Sequence, residues 1–261
     1  MSSFDRFNTI LQLFDEARPD WTVQEMSTRL GIPASTVYRT VRDLTKAGCL
    51  DTSKAGSYRL GAAFVIYDRL IRLTDPLVRA GSGVLHDLVV QARIPCVGLL
   101  ARVCNDTVMC IADEATRGVE LFSSYERGRP MPLTRGATSK VILAQLPGRR
   151  LKKLLASSTP DAHPFALGTA ELQHSLAGIR KQGFCITRGE IDPGAIGIAA
   201  PIVVPEIPIL ASISLVAAAA TVDTGLERRL ALLVVSSAAL VADILKPAED
   251  NSGGQAKAST N

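Results

Sequence analysis

Four side chains in the stretch "IPASTVYRTVRDLTKAG", residues 32–48, recur at helical spacing: Ser35, Arg39, Arg42 and Lys46. At about 100° per residue they form one stripe, flanked by Thr36, Tyr38 and Asp43, with Val37, Val41 and Leu44 opposite. A merely solvated helix face mixes acids and bases. This one is dominated by arginine, lysine and hydroxyls, groups that donate to phosphate oxygens and base edges, so the expected partner is double-stranded DNA. Arg39 and Arg42 are the candidates for guanine edges or phosphate. Ser35, Thr36 and Tyr38, near the helix start, suit a positioning role on the backbone. Lys46 continues the stripe, and Lys54 and Ser57, in the segment that follows, are candidates for phosphate or minor-groove contact.

A second chemical signal lies in "LTRGATSKVILA", which leads into a helix start at Gly136–Ala137. Exposed amides there, backed by the helix dipole, can seat a carboxylate. Other chemistries find no support. Cys49, Cys96, Cys104, Cys110 and Cys185 are odd in number and lack CxxC spacing, and with three scattered histidines they make neither a disulfide framework nor a metal site. Nucleophile elbow, P-loop and dinucleotide fingerprint are missing, so no catalytic residue and no cofactor is nominated. An enzyme with accessory N-terminal helices is the alternative reading, and it has no motif behind it.

The elements that must position these residues follow from periodicity. Residues 4–18 repeat apolar positions as a helix ending before Pro19; "TVQEMSTRLG" opens with a capping box, Thr22 and Glu25, and exits at Gly31. A third helix runs from about Pro33 to Gly48. "CLDTSKAGSYRLG" then reads as a hairpin turning through "SKAGS". Helix, helix, tight turn, helix and hairpin make a winged helix-turn-helix over residues 1–61. This segment holds eight Lys/Arg against seven Asp/Glu, so its affinity for DNA must come from local clustering and paired half-sites rather than a broad basic field. A linker helix is expected over 62–79. Residues 80–246 mix short strands ("IPCVGLLARV", "TVMCIADEA", "VELFSSY") with helices near 137–146, 148–156, 170–182 and 223–245, an α+β arrangement. Residues 247–261 are polar and expected to be disordered. The apolar stretch 196–222 carries a single charge, but Pro201, Pro205 and Pro208 divide it, so it reads as two buried strands rather than a membrane span. The N-terminus carries early acids and no cleavage site, which predicts a protein without a signal peptide, in the cytoplasm. The whole chain of 261 residues is 47% hydrophobic with a net charge of +4, and suits a two-domain globular protein.

From about residue 4 to 245 the sequence resembles the IclR family of bacterial transcriptional regulators. "GIPASTVYRTVRDLTKAGCLD" with "YRLG" is similar to the family's reading head and wing, "GRPMPLTRGATSKVILAQLP" to its sensor segment, and "IRKQGFCITRGEIDPGAIGIAAPIV" with "LASISL" to the strands closing its effector pocket. The resemblance implies a winged helix domain, a linker helix and a GAF-like effector domain. It also implies a homodimer or homotetramer, an inverted-repeat operator, and a small organic acid, ester, amide or aromatic catabolite as effector of a catabolic operon. It puts Glu190, Gly197, Ser212 and Ser214 around the cavity of Gly136 and Ala137. Ser212 and Ser214 alternate on one strand face, so their hydroxyls need partners, ligand or ordered water. Glu190 beside an anionic effector must be protonated, paired with Arg188 or Arg135, or bonded to a ligand hydroxyl or amide; it is either a polarity selector or a structural ion pair. Ile196 and Ile198 are expected as apolar lining, favouring an aromatic or neutral effector. The alanine-rich "LVAAAATV", the prolines of "VVPEIPI", and Thr138 and Ser139 depart from the family pattern and bear on pocket shape.

Overall fold

The structure, a computed structural model, describes residues 2–118, 123–157, 169–207 and 209–246. The chain divides into two compact units, Met1–Asp75 and Pro76–Asn261.

The first unit begins with α1 (Ser3–Leu11), capped by a Ser2–Asp5 box. Sequence periodicity extends this helix to residue 18, but it stops at Leu11. There the Asp15 side chain draws the Arg18 amide (2.7 Å) into a turn, an alternative to helix that short acidic side chains offer. A two-residue strand β1 (Trp21–Thr22) precedes α2 (Val23–Leu30), whose Thr22–Glu25 capping box and left-handed Gly31 are as read from sequence. Then come α3 (Ala34–Lys46), β2 (Leu50–Thr52) and β3 (Ser57–Leu60), with β3 hydrogen-bonded between β1 and β2. Ile10, Trp21, Met26, Val37, Val41, Leu44 and Leu50 form the core. α4 (Ala63–Thr74) starts from a tight clamp. The Gly61 amide donates to Cys49 O (2.8 Å) and the Ala63 amide to Gly48 O (3.0 Å). A Cβ at Gly61 would lie 2.3 Å from Gly48 O, so only glycine closes it.

The helix expected over 62–79 is two helices. Asp75, preceding Pro76, leaves the helical conformation (ψ 121°), as the proline ring demands, and α5 (Pro76–Ala92) starts afresh in the second unit.

The second unit is built on one antiparallel sheet of six strands. They are β4 (Cys96–Cys104), β5 (Thr107–Ala115), β6 (Pro130–Pro132), β7 (Cys185–Arg188), β8 (Ala195–Val203) and β9 (Leu210–Ala218), in the order β6-β5-β4-β9-β8-β7. Between β6 and β7 lie α6 (Ala137–Ala144), α7 (Gly148–Ser157) and α8 (Thr169–Gln182); α9 (Thr224–Leu245) follows β9. Alternation along the strands splits the core. Ile196, Ile198, Ile213 and Leu215 face α5 and α9, while Leu99, Ala199 and Val216 face α6 and α8. Pro201 is tolerated inside β8 because β7 stops at Cys185, opposite Ala199, leaving β8 an edge beyond that point. The strand expected at "VELFSSY" falls largely on residues 119–122, and the tail on 247–261, both outside the described residues. Among the described residues no helix is long and apolar enough to cross a membrane and no side-chain group suits a metal ion.

Candidate functional site

The first unit presents α3 as expected. Val37, Thr40, Val41 and Leu44 are buried, and Ser35, Tyr38, Arg39, Arg42 and Lys46 are exposed on the other side, with Thr36 half-buried. Unlike α1 and α2, whose first turns are closed by capping boxes, α3 has no side-chain cap and no acid in its first turn. Its N-terminal positive potential therefore faces outward unneutralised, beside Ser35. Arg42 lies 3.5 Å from Asp43, an exposed pair and so a weak restraint on the guanidinium. In the hairpin Lys54 is exposed at the tip, where Ala55 adopts φ 55°. Ser57 spends its hydroxyl proton on Lys54 O (2.7 Å), so its first task is to shape that tip.

In the second unit, a small cleft opens where the start of α6 meets β7 and β8; Tyr125, Gly136, Ala137, Thr187, Glu190 and Gly197 are on its wall. Gly136 takes φ 79°, and a Cβ there would meet Ile191 Cγ1 and Tyr125 Oη, each at 2.8 Å. Gly197, opposite Thr187 in the β7–β8 pairing, leaves open the space beside Ala137. The Tyr125 hydroxyl donates to Arg135 O (3.2 Å) and lies 2.8 Å from Ser139 Oγ; burial holds its phenol well above the usual range.

The seat at the helix start is filled from within the chain. The Gly136 amide donates to Glu190 Oε2 (3.0 Å), the Ala137 amide to Thr187 Oγ1 (3.1 Å), and Lys140 Nζ donates to Glu190 Oε1 (2.7 Å). Of the four expectations for Glu190, an ion pair is the outcome, but with Lys140. Arg188 reaches away to Glu227.

Two further expectations are corrected. Ser212 and Ser214 are fully buried but off the cleft wall. Ser212 Oγ donates to Thr138 O (3.1 Å), and Ser214 Oγ pairs with Thr138 Oγ1 (2.9 Å), so the first turn of α6 supplies a partner to each hydroxyl. Ile196 and Ile198 point to the opposite face, against α5 and α9. The even side chains of β8 turn away from α6, and the apolar wall is Ala137, Ile191, Ala195 and Val216.

Sequence reading did not single out Tyr125, Thr187, Asp192 or Lys140. Asp192 holds the chain across the cleft, accepting from the Ser124 amide (3.0 Å) and hydroxyl. Lys140 had a visible signal as the one charged residue in the stretch "ATSKVILA", and it is buried with the rest of α6.

The family model "Bacterial transcriptional regulator IclR C-terminal" matches residues 97–242, and "IclR helix-turn-helix domain" matches residues 3–53. HTH-type transcriptional regulator KipR of Bacillus subtilis is 25% identical over 202 residues, covering 76% of this chain and 79% of that protein. Among solved structures, an IclR transcriptional regulator from Alicyclobacillus acidocaldarius superposes with a TM-score of 0.80 at 20% identity, covering 94% of this chain and 98% of that one. An IclR homologue from Microbacterium hydrocarbonoxydans, complexed with 4-hydroxybenzoate, gives 0.77 at 19% identity, covering 94% and 99%. These families and relatives are regulators of transcription, not enzymes. The chain belongs to the IclR family of bacterial transcriptional regulators.

Proposed function

We propose that this regulator reads an inverted-repeat operator through paired winged heads, and that a small organic effector, a carboxylate or aromatic compound, adjusts its grip on a catabolic operon from the cleft at α6. The observation that carries the reading is the exposed face of α3, which carries Ser35 at its uncapped start and then Arg39, Arg42 and Lys46 along its length. Arg39 and Arg42 read base edges or phosphate, Ser35, Thr36, Tyr38 and Lys46 set the register on the backbone, and Lys54 with Ser57 follows the adjacent groove. Pairing of heads is supported by α4, which exposes Val65, Ile66, Tyr67, Leu70, Ile71 and Leu73 while burying only Ala63; an apolar face of this extent marks an interaction surface. A second copy covers it in the homodimer, and a further pairing of dimers gives a tetramer. The effector site comprises Gly136, Ala137, Glu190 and Gly197, with Ser212 and Ser214 supporting it through Thr138. The protein acts in the cytoplasm.

The test is fluorescence anisotropy with duplex DNA from upstream of the protein's own gene, against random duplex. Arg39→Ala and Arg42→Ala are expected to weaken specific binding by about 1–3 kcal/mol each. Lys54→Ala is expected to lower the salt slope by about one unit without changing sequence preference. Unchanged binding in the arginine variants refutes the assignment of α3.

A further inference from the structure

The ion pair at the cleft is unequal. Lys140 stands on a helix with every residue buried, its side chain 5% exposed and behind the cleft wall; Glu190 stands on the turn joining β7 to β8, is 15% exposed, and lines the cleft in front of it. That turn is bounded by Gly189 and Gly194, both at positive φ (66° and 77°), and projects Ile191 and Asp192 into the same cleft. A buried cation on a helix must keep an anion, because removing its partner leaves an uncompensated charge out of water. The anion is the member that can be exchanged. A carboxylate entering the cleft can accept from Lys140 Nζ and the Gly136 amide in place of Glu190, whose own carboxylate then turns out to water.

Building on the effector reading above, we propose that Lys140 is the specificity-determining cation of this cleft and that Glu190 is a built-in substitute holding its place. The ligand is a small monocarboxylate whose apolar part lies against Val216, Ala137 and Ile191. Its arrival trades one carboxylate for another and so costs little electrostatically, while it dislodges the 189–194 turn. That turn also carries Asp192, the acceptor for Ser124, so the exchange loosens the hold on the 123–125 segment. A cation cannot act in this way, since the charge it would need to displace is the buried one.

The test is calorimetric titration of the full chain with sodium benzoate, sodium acetate and benzamide, on wild type, Glu190→Gln, Lys140→Met and the double variant. Glu190→Gln removes the internal competitor and is expected to bind the carboxylates about 10- to 100-fold tighter, the span of a charge-assisted hydrogen bond. Benzamide, which brings no anion to replace Glu190, is expected to show no comparable gain. The double variant, which removes both charges and keeps the shapes, folds and loses the carboxylate response; it decides the matter should Lys140→Met alone fail to fold. No carboxylate gain in Glu190→Gln overturns the proposal. So does benzamide binding that weakens in Glu190→Gln, which would make Glu190 a direct ligand contact. Duplex-DNA binding measured on the same samples separates the two readings. Intact DNA binding without the carboxylate gain sinks only this proposal, whereas wild type that ignores DNA sinks the regulator reading.

Discussion

Replacing Ser214 by alanine should cost stability without any ligand present. The Ser214 hydroxyl sits in β9, fully buried, 2.9 Å from the Thr138 hydroxyl, and Thr138 is in turn fixed by Ser212. Alanine leaves the Thr138 hydroxyl buried and deprived of that partner. An orphaned buried group of this kind costs about 1–3 kcal/mol, well above the loss of a solvated bond. For a unit of this size, about 2 kcal/mol lowers the melting temperature by roughly 4–8 °C. Thr138→Val keeps the shape, removes the other hydroxyl, and should cost a similar amount. The double variant has no orphan, so it should be less destabilised than the two single losses added together, with a coupling of about 1 kcal/mol or more. Scanning calorimetry of the full chain is the appropriate assay, because it records both units. Trp21, the one tryptophan, lies in the first unit, so its fluorescence should melt unchanged in all three variants. Strict additivity, or a Ser214→Ala transition within about 1 °C of wild type, would refute the argument that this pair anchors α6 to the sheet.

Three further outcomes follow from packing and burial. Gly98→Ala would set a methyl 2.7 Å from Val89 Cγ2 and 2.9 Å from Leu85 Cδ1, and urea unfolding should show a loss of about 1–3 kcal/mol in the second unit. Gly136→Ala forces a side chain into a left-handed position against Ile191 and Tyr125; titration with benzoate should show binding abolished while duplex-DNA binding persists. At pH 8 a thiol-reactive dye should label exposed Cys104 and spare Cys110 and Cys185, whose thiols burial pushes up to about 12. Because the folded protein holds those protons above the ordinary value of 9.0, their contribution to stability is complete below pH 9 and is lost as pH rises towards 12.

The first unit was largely legible in the sequence because its signals are local. A capping box, a left-handed glycine and a 3.6-residue period each act within a turn or two of chain, and α2 and α3 fall where they indicate. The α1 boundary was missed because apolar spacing persists through Leu13 and Phe14, which pack on the core from a turn rather than a helix. In the second unit the elements were readable and their facing was not. Ile196 and Ile198 read as cleft lining only if β8 is assigned the wrong face, and which face meets the cleft is decided by α5 and α6, which come from far along the chain. The partner of Glu190 was hidden for the same reason: fifty residues separate it from Lys140, with two helices and a strand between them.

The clamp at Gly61 constrains which sequences this junction can accept. The start of α4 is bonded to the carbonyls of Gly48 and Cys49, just past the end of α3. Mutational drift should follow: the exposed face of α4 is free of such a steric limit, while position 61 admits no neighbour in sequence space.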